Sequence, residues 1–334
     1  MQFARTLPKE LVHRAAIAEV FLTDAERRSE DEVLLAAQFP RLHAFYDDTL
    51  TPRTHHDPLM VLEACRQAIF VVAHRHLGVP MDHKFLLRTV EFEVLDLAAL
   101  VPGDTPTEAV IGARIEHRFQ DRSGVTGLRL RFTATIGRCE AMSARIAYSW
   151  MRPEDWTRLR ARQRHALGLF DPPVARQGPR IDPALVGRRD PANAIISPPR
   201  ITGDGRSTAR LVAQTTHPTL YDHWVDHVPG MLELEAFRQL ALTAAVRAGT
   251  MRTPTALPIG LSARFRRFAE MDLLLQCVTA PVMPQAAVEC TLYQLGTLVA
   301  EARISLTDPN TADLAGVLAG AGPDRAPGTG GSAR

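Results

Sequence analysis

The chain has 334 residues, about twice what one ordinary domain needs, so two domains are expected. With 46% hydrophobic and 23% charged residues it can bury a substantial core, which excludes disorder for the bulk of the chain. A net charge of +2 gives no global basic field for nucleic acid, and no run reaches the roughly 18 apolar residues of a membrane span.

Met1 to Leu22 is interrupted by His13, Arg14 and Glu19 and does not read as a signal peptide. Taken alone, His13-Arg14 reads as a strand edge. Lys9 and Lys84 are the two lysines, so the positive charge is almost all arginine, a product of GC-rich coding or a supply of forks for phosphate. Cys65, Cys139, Cys277 and Cys290 form no C-x-x-C pair, which suits a reduced, cytoplasmic compartment.

Asp57-Pro58 offers an N-cap followed by proline at N1, so a helix is expected through Leu59–Leu77, ended by Gly78 and Pro80. Strand-like segments follow at Leu87–Leu95, Glu108–Phe119, Thr126–Gly137 and Arg138–Trp150. The Pro-, Arg- and Asp-rich stretch 152–200 reads as a linker, opening with a short helix over Glu154–His165. Pro229-Gly230 then opens a second helix, Met231–Ala248, ended by Gly249. Strands are expected at Gly260–Phe268, Leu273–Ala280, Ala287–Leu295 and Thr297–Leu306. From residue 309 onward, Ala, Gly, Pro and Ser dominate, and a disordered tail is expected.

One apolar helix followed by antiparallel strands, occurring twice, predicts an α+β double hotdog. Its units are residues 1–151 and 201–308, each a sheet wrapped around a central helix and joined side by side as a pseudo-dimer. The two helices repeat a motif. Leu62-Glu63-Ala64-Cys65-Arg66-Gln67 and Leu234-Glu235-Ala236-Phe237-Arg238-Gln239 are both Leu-Glu-Ala-x-Arg-Gln, offset by 172 residues. Glu, Arg and Gln at i, i+3 and i+4 share one helix side, and on helices this apolar they must be satisfied internally or face a cavity. The plain structural account is an ion pair tying helix to sheet. Repetition favours a site instead, because a buried pair is a weak stabiliser.

Pro229-Gly230-Met231-Leu232-Glu233-Leu234-Glu235-Ala236 resembles the helix of β-hydroxyacyl carrier-protein dehydratases, which would make Glu235 the acid and His223 the upstream histidine. Arg66 and Arg238 depart from that pattern. Together with Leu11-Val12-His13-Arg14, Ala18-Glu19-Val20-Phe21-Leu22-Thr23-Asp24, Ala73-His74-Arg75-His76-Leu77-Gly78-Val79-Pro80 and Val225-Asp226-His227-Val228-Pro229-Gly230-Met231, they resemble the A-factor biosynthesis (AfsA-like) family. The resemblance implies an acyltransferase of γ-butyrolactone autoregulator synthesis. Such an enzyme moves a β-ketoacyl chain from acyl carrier protein to the hydroxyl of dihydroxyacetone phosphate.

On that basis Glu235, ahead of Glu63, is expected as the base, with His223 beside it. Arg238, Arg66, Gln239, Gln67 and His227 are expected to bind substrate, and no metal or cofactor is called for. Arg264, Arg266 and Arg267 read as a solvated face, or as docking for an acidic carrier or for phosphate. His55-His56 and His74/His76 lack a third metal ligand at helical spacing. A dehydratase or thioesterase acting on carrier thioesters, and a noncatalytic small-ligand module, are the competing readings. The chain is expected to act as a monomeric pseudo-dimer or a homodimer.

Overall fold

The computed structural model describes residues 1–51, 54–122 and 124–309; the expected tail from 310 on, and Ser123 of an expected turn, lie outside the described residues. In chain order the elements are β1 (Leu22–Arg27), β2 (Glu32–Phe39), α1 (Pro58–Val71), β3 (Lys84–Val94), β4 (Thr107–Asp121), β5 (Gly124–Ile136) and β6 (Cys139–Met151). After α2 (Pro153–Ala166) come β7 (Arg200–Ile201), β8 (Ser207–Arg210), α3 (Gly230–Arg247), β9 (Leu257–Phe265), β10 (Leu275–Thr279), β11 (Val288–Gln294) and β12 (Thr297–Thr307).

All twelve strands form one antiparallel sheet in the order β1-β2-β4-β5-β6-β3-β9-β12-β11-β10-β8-β7. The strand that follows each central helix lies at the middle. There β3 pairs with β9 from Thr89↔Arg264 to Glu93↔Gly260, so the six-stranded halves are joined without an inner edge. Reading outward from that joint, the two halves repeat the same connectivity. This is the double hotdog, with α1 and α3 as its inner helices.

Asp57 caps α1, accepting from the Leu59 amide at 2.9 Å, and Pro58 fills N1, where a missing N–H costs nothing. Every residue of α1 except Arg66 is buried. The expected helix to Leu77 is continued past Val71 by a π-helical turn over Val72–His76, and Gly78 leaves it at φ +69°. α3 has Pro229 at its N-cap and no side-chain cap. Gly230 lies where a Cβ would stand 3.1 Å from Leu87 Cδ1 and 3.3 Å from the Phe265 ring, so glycine lets α3 start close to the β3–β9 joint without displacing those side chains.

The stretch 152–200 carries more structure than the linker expected there. Arg160 and Arg164 on α2 grip Glu270 at 2.6–2.8 Å, and Arg160 also holds Asp226 at 2.9 Å, which packs α2 onto the second unit. Residues 183–195 then repeat the geometry of residues 9–21 at a constant spacing of 174. Each copy begins with a four-residue 3-10 turn (Lys9–Val12 and Pro183–Val186), ended by a left-handed residue, His13 at φ 53° and Gly187 at φ 73°. His13-Arg14 is thus a turn terminus rather than a strand edge. Strands β1, β2, β7 and β8 were not anticipated from the sequence; the first two add the outer pair of unit one.

Candidate active site

Each inner helix presents its Glu-Arg-Gln edge to the segment that opens its own unit. Gln67 accepts from the Phe21 amide at 3.0 Å and donates to the Glu19 carbonyl at 2.7 Å. Gln239 does the same with Ile195 and Asn193, at 3.0 and 2.7 Å. Both glutamines also donate to their own glutamate, at 3.0 Å for Glu63 and 2.6 Å for Glu235. These amides are spent on backbone and carboxylate, and neither lines the cavity described below.

A second arginine reaches each glutamate from the opening segment. Arg14 pairs with Glu63, and Arg188 with Glu235 at 3.0 Å. Each also donates to a carbonyl of the opposite unit, Arg14 to Thr219 and Arg188 to Phe45. The exchange is reinforced by aspartates. Asp222 accepts from the amides of Ala15 and Ala16, at 2.6 and 3.0 Å, and Asp48 from those of Arg189 and Asp190, at 3.0 and 3.1 Å.

The two clusters differ in charge. Arg66 holds both oxygens of Glu63, Nε to Oε2 at 2.7 Å and Nη2 to Oε1 at 2.8 Å, so one carboxylate faces two guanidinium groups. In unit two, Arg238 holds Glu235 through Nη2 and also donates from Nη1 to Asp57 at 2.5 Å, so two carboxylates face two guanidinium groups. Pro229 stands at the α3 position that Asp57 takes on α1. Arg66 Nη1 consequently has no hydrogen-bond partner among the described residues, and the buried Arg14 Nε has none either. The first cluster is cationic and open; the second is neutral and closed.

The acid strengths follow. Burial pushes Glu63 up, but the charges and hydrogen bonds of Arg14 and Arg66 outweigh it and bring the carboxyl down to about 2. Burial wins at Glu235, raised to about 7 against the pull of Arg188, and at Asp57, raised to about 6.

A cavity of about 900 Å³ opens on the first cluster, at the junction of the two units. Arg14 and Arg66 line its cationic wall, with His13, His83, Lys84, His223 and His227 nearby. Apolar surface comes from Ile69, Phe70, Leu87, Trp156, Met231 and Phe268. The start of α3, Gly230-Met231, faces this space, and amides at a helix start have no intrahelical acceptor. Of the residues expected from sequence, Arg66, His223 and His227 line the cavity, and Glu63 lies directly behind Arg66. Glu235, Arg238 and Gln239 sit in the closed cluster and do not line it.

His223 is oriented by the buried Asp222, Nδ1 to Oδ2 at 3.3 Å, while its own side chain is 44% exposed. Burial and the nearby arginines lower its pKa below the usual 6.5 despite Asp222. His227 is held in the same manner by Asp226 at 2.7 Å, and its ring meets those of Trp156 and Phe268. His13 stacks on Phe70 and bonds His74 at 2.9 Å through the two Nε2 atoms. Since the Val79 carbonyl accepts from Nδ1 of His74, the neutral pair needs the proton on His13 Nε2, leaving His13 Nδ1 as the free lone pair. Burial and the positive groups around it depress His13 to about 3, so it is a weak base.

Arg14, Arg188 and the anion role of Asp57 were missed in the sequence. The signal was present for the arginines: Leu11-Val12-His13-Arg14 recurs as Leu185-Val186-Gly187-Arg188, inside the supposed linker. Arg266 and Arg267 lie at the cavity mouth, whereas Arg264 points from β9 to solvent.

Comparison with known proteins agrees with this architecture. Residues 1–151 and 171–307 match the family described as AfsA, the A-factor biosynthesis hotdog domain. A Streptomyces virginiae protein named 2-oxo-3-(phosphooxy)propyl 3-oxoalkanoate synthase is 32% identical, over 80% of this chain and 84% of that protein. Proteins of the same name from Streptomyces coelicolor and Streptomyces griseus are 32% and 31% identical, over 89% and 78% of this chain and 90% and 81% of theirs. The chain belongs to the A-factor biosynthesis hotdog family.

Proposed function

We propose that the chain is an acyltransferase that moves a 3-oxoacyl group from a carrier-protein thioester to the hydroxyl of dihydroxyacetone phosphate. The observation that carries this reading is the open cationic cluster: one carboxylate and two arginines on the wall of a cavity, with Arg66 Nη1 left without a partner among the described residues. Arginine forks match phosphate oxygens, so the Arg66 guanidinium, backed by the charge of Arg14, forms the seat of the acceptor's phosphate. The relatives' name carries the same 2-oxo-3-(phosphooxy)propyl group.

His223 takes the proton of the acceptor hydroxyl as its oxygen attacks the thioester carbon, with Asp222 fixing the ring. In this reading His223 replaces Glu235 as the base, because Glu235 is enclosed by Arg188, Arg238 and Gln239. The amides of Gly230 and Met231, at the positive end of α3, stabilise the oxyanion of the tetrahedral intermediate. The carbon–sulfur bond then breaks, and the thiolate leaves with the proton held by His223. The products are a phosphorylated 3-oxoacyl ester and a free carrier thiol.

Lys84, Arg88, Arg266 and Arg267 are exposed around the mouth and suit an acidic carrier protein. Both units supply residues to one cavity, which supports a working unit of a single chain. Among the described residues no helix is long and apolar enough to cross a membrane.

The test is mass spectrometry of purified protein with a 3-oxoacyl carrier thioester, with and without dihydroxyacetone phosphate. Ester and free thiol should form together, and only when both substrates are present. Thiol release at the same rate without the acceptor would identify a thioesterase instead.

A further inference from the structure

Glu233 is a buried carboxyl that the scheme above does not use. It lines the same cavity from the first turn of α3, it is 3% exposed, and its Oε2 has no hydrogen-bond partner among the described residues. The matching position of unit one is Val61, fully buried in α1, so the fold itself is satisfied by an apolar side chain there. Leaving a polar group buried and unpaired is unfavourable, and such a group persists where a ligand completes it. Burial also drives the Glu233 carboxyl well above the usual range, so it keeps its proton and can donate.

Resting on the acyl-transfer reading, we propose that the Glu233 carboxyl donates a hydrogen bond to the 3-oxo oxygen of the acyl donor and thereby selects 3-oxoacyl over saturated chains. Gly230 and Glu233 share a helix face at i, i+3, and helical side chains lean toward the N-terminus. The carboxyl therefore reaches back toward the amides that hold the thioester oxygen, two carbons from the 3-oxo group. The acceptor's own ketone is the other carbonyl available. It is tethered within three carbons of a phosphate seated on Arg14 and Arg66, whereas Glu233 feels no cationic side chain. The buried titratable groups close enough to interact with it are Tyr221 and Cys277 of unit two.

The experiment compares 3-oxoacyl and saturated acyl thioesters of one chain length in wild type, Glu233→Gln and Glu233→Val. It measures kcat/KM with dihydroxyacetone phosphate and, independently of turnover, calorimetric binding of the matching nonhydrolysable amides. Wild type should prefer the 3-oxo compound by about tenfold or more. Glu233→Gln, which still donates, should keep most of that preference. Glu233→Val should lose it through the 3-oxo compound alone while melting no lower than wild type. An undiminished preference in Glu233→Val, equal loss on both donors, or a change confined to acceptor choice would overturn the proposal. If wild type transfers neither acyl group, the acyltransferase reading fails. The amide binding comparison then still decides whether Glu233 reads the 3-oxo group.

Discussion

Asp57 and Arg238 bind each other across the two units: Oδ2 of the first helix's cap accepts from Nη1 of the second helix's arginine at 2.5 Å. The symmetry-related place on the second helix is held by Pro229, which has no side-chain acceptor to offer. An internal carboxylate thus occupies in one unit the position proposed for the acceptor's phosphate in the other.

Moving that carboxylate should move the vacancy. Pro229→Asp places an anion next to Arg66 and supplies a better N-cap for α3, so the fold should hold or gain stability. The KM for dihydroxyacetone phosphate should rise about tenfold or more, with the thioester KM little changed. Steady-state kinetics in both substrates check this.

The two motif arginines should respond differently to the same change. Arg66→Lys loses the planar fork at the open cluster and should raise the acceptor KM by roughly 10- to 100-fold with little effect on unfolding. Arg238→Lys loses the fork that joins Asp57 to Glu235 inside the protein, and a buried polar group left without its hydrogen bond costs about 1–3 kcal/mol. Denaturant unfolding beside acceptor kinetics separates the two, and equal acceptor defects would contradict the assignment.

Replacing His223 by Asn should lower kcat by about 10²–10⁴-fold if it is the base, while Glu235→Gln should retain substantially more activity. A base must be deprotonated to act. Because the His223 pKa is lowered, the acid limb of the kcat–pH profile should fall below pH 6.5. A limb above that value would point to another group.

Stability should depend on pH with opposite signs in the two clusters. Arg14 and Arg66 hold the folded Glu63 carboxyl at about 2 against its ordinary 4.5, so its contribution is complete above 4.5 and is lost as pH falls toward 2. Glu235, raised to about 7, contributes most below 4.5 and loses that contribution as pH rises through 7. The stability of wild type relative to Glu63→Gln should shrink on acidification, and relative to Glu235→Gln on raising the pH. Denaturant titrations across pH 3–8 would show two slopes of the same sign if the clusters were alike.

Much of the fold was legible because periodicity survives without tertiary context. Two helices apolar almost all round, each followed by segments of strand period, leave few arrangements beyond a sheet wrapped about each helix. The Asp57-Pro58 cap and the Gly249 terminus fixed helix ends through backbone chemistry alone. The short strands β7 and β8 were hidden since two to four residues carry no period, and the repeat at 183–195 was hidden by a composition that resembles a linker.

By itself the sequence determined that Glu63-Arg66-Gln67 and Glu235-Arg238-Gln239 are equivalent, since identical spacing on a helix produces identical faces. It could not decide which copy faces open space. That choice rests on Asp57, 181 residues from Arg238 along the chain, and on the two segments that carry Arg14 and Arg188 to their glutamates. Charge balance in a buried cluster depends on which groups meet in space, and only the packing of the two units brings these together.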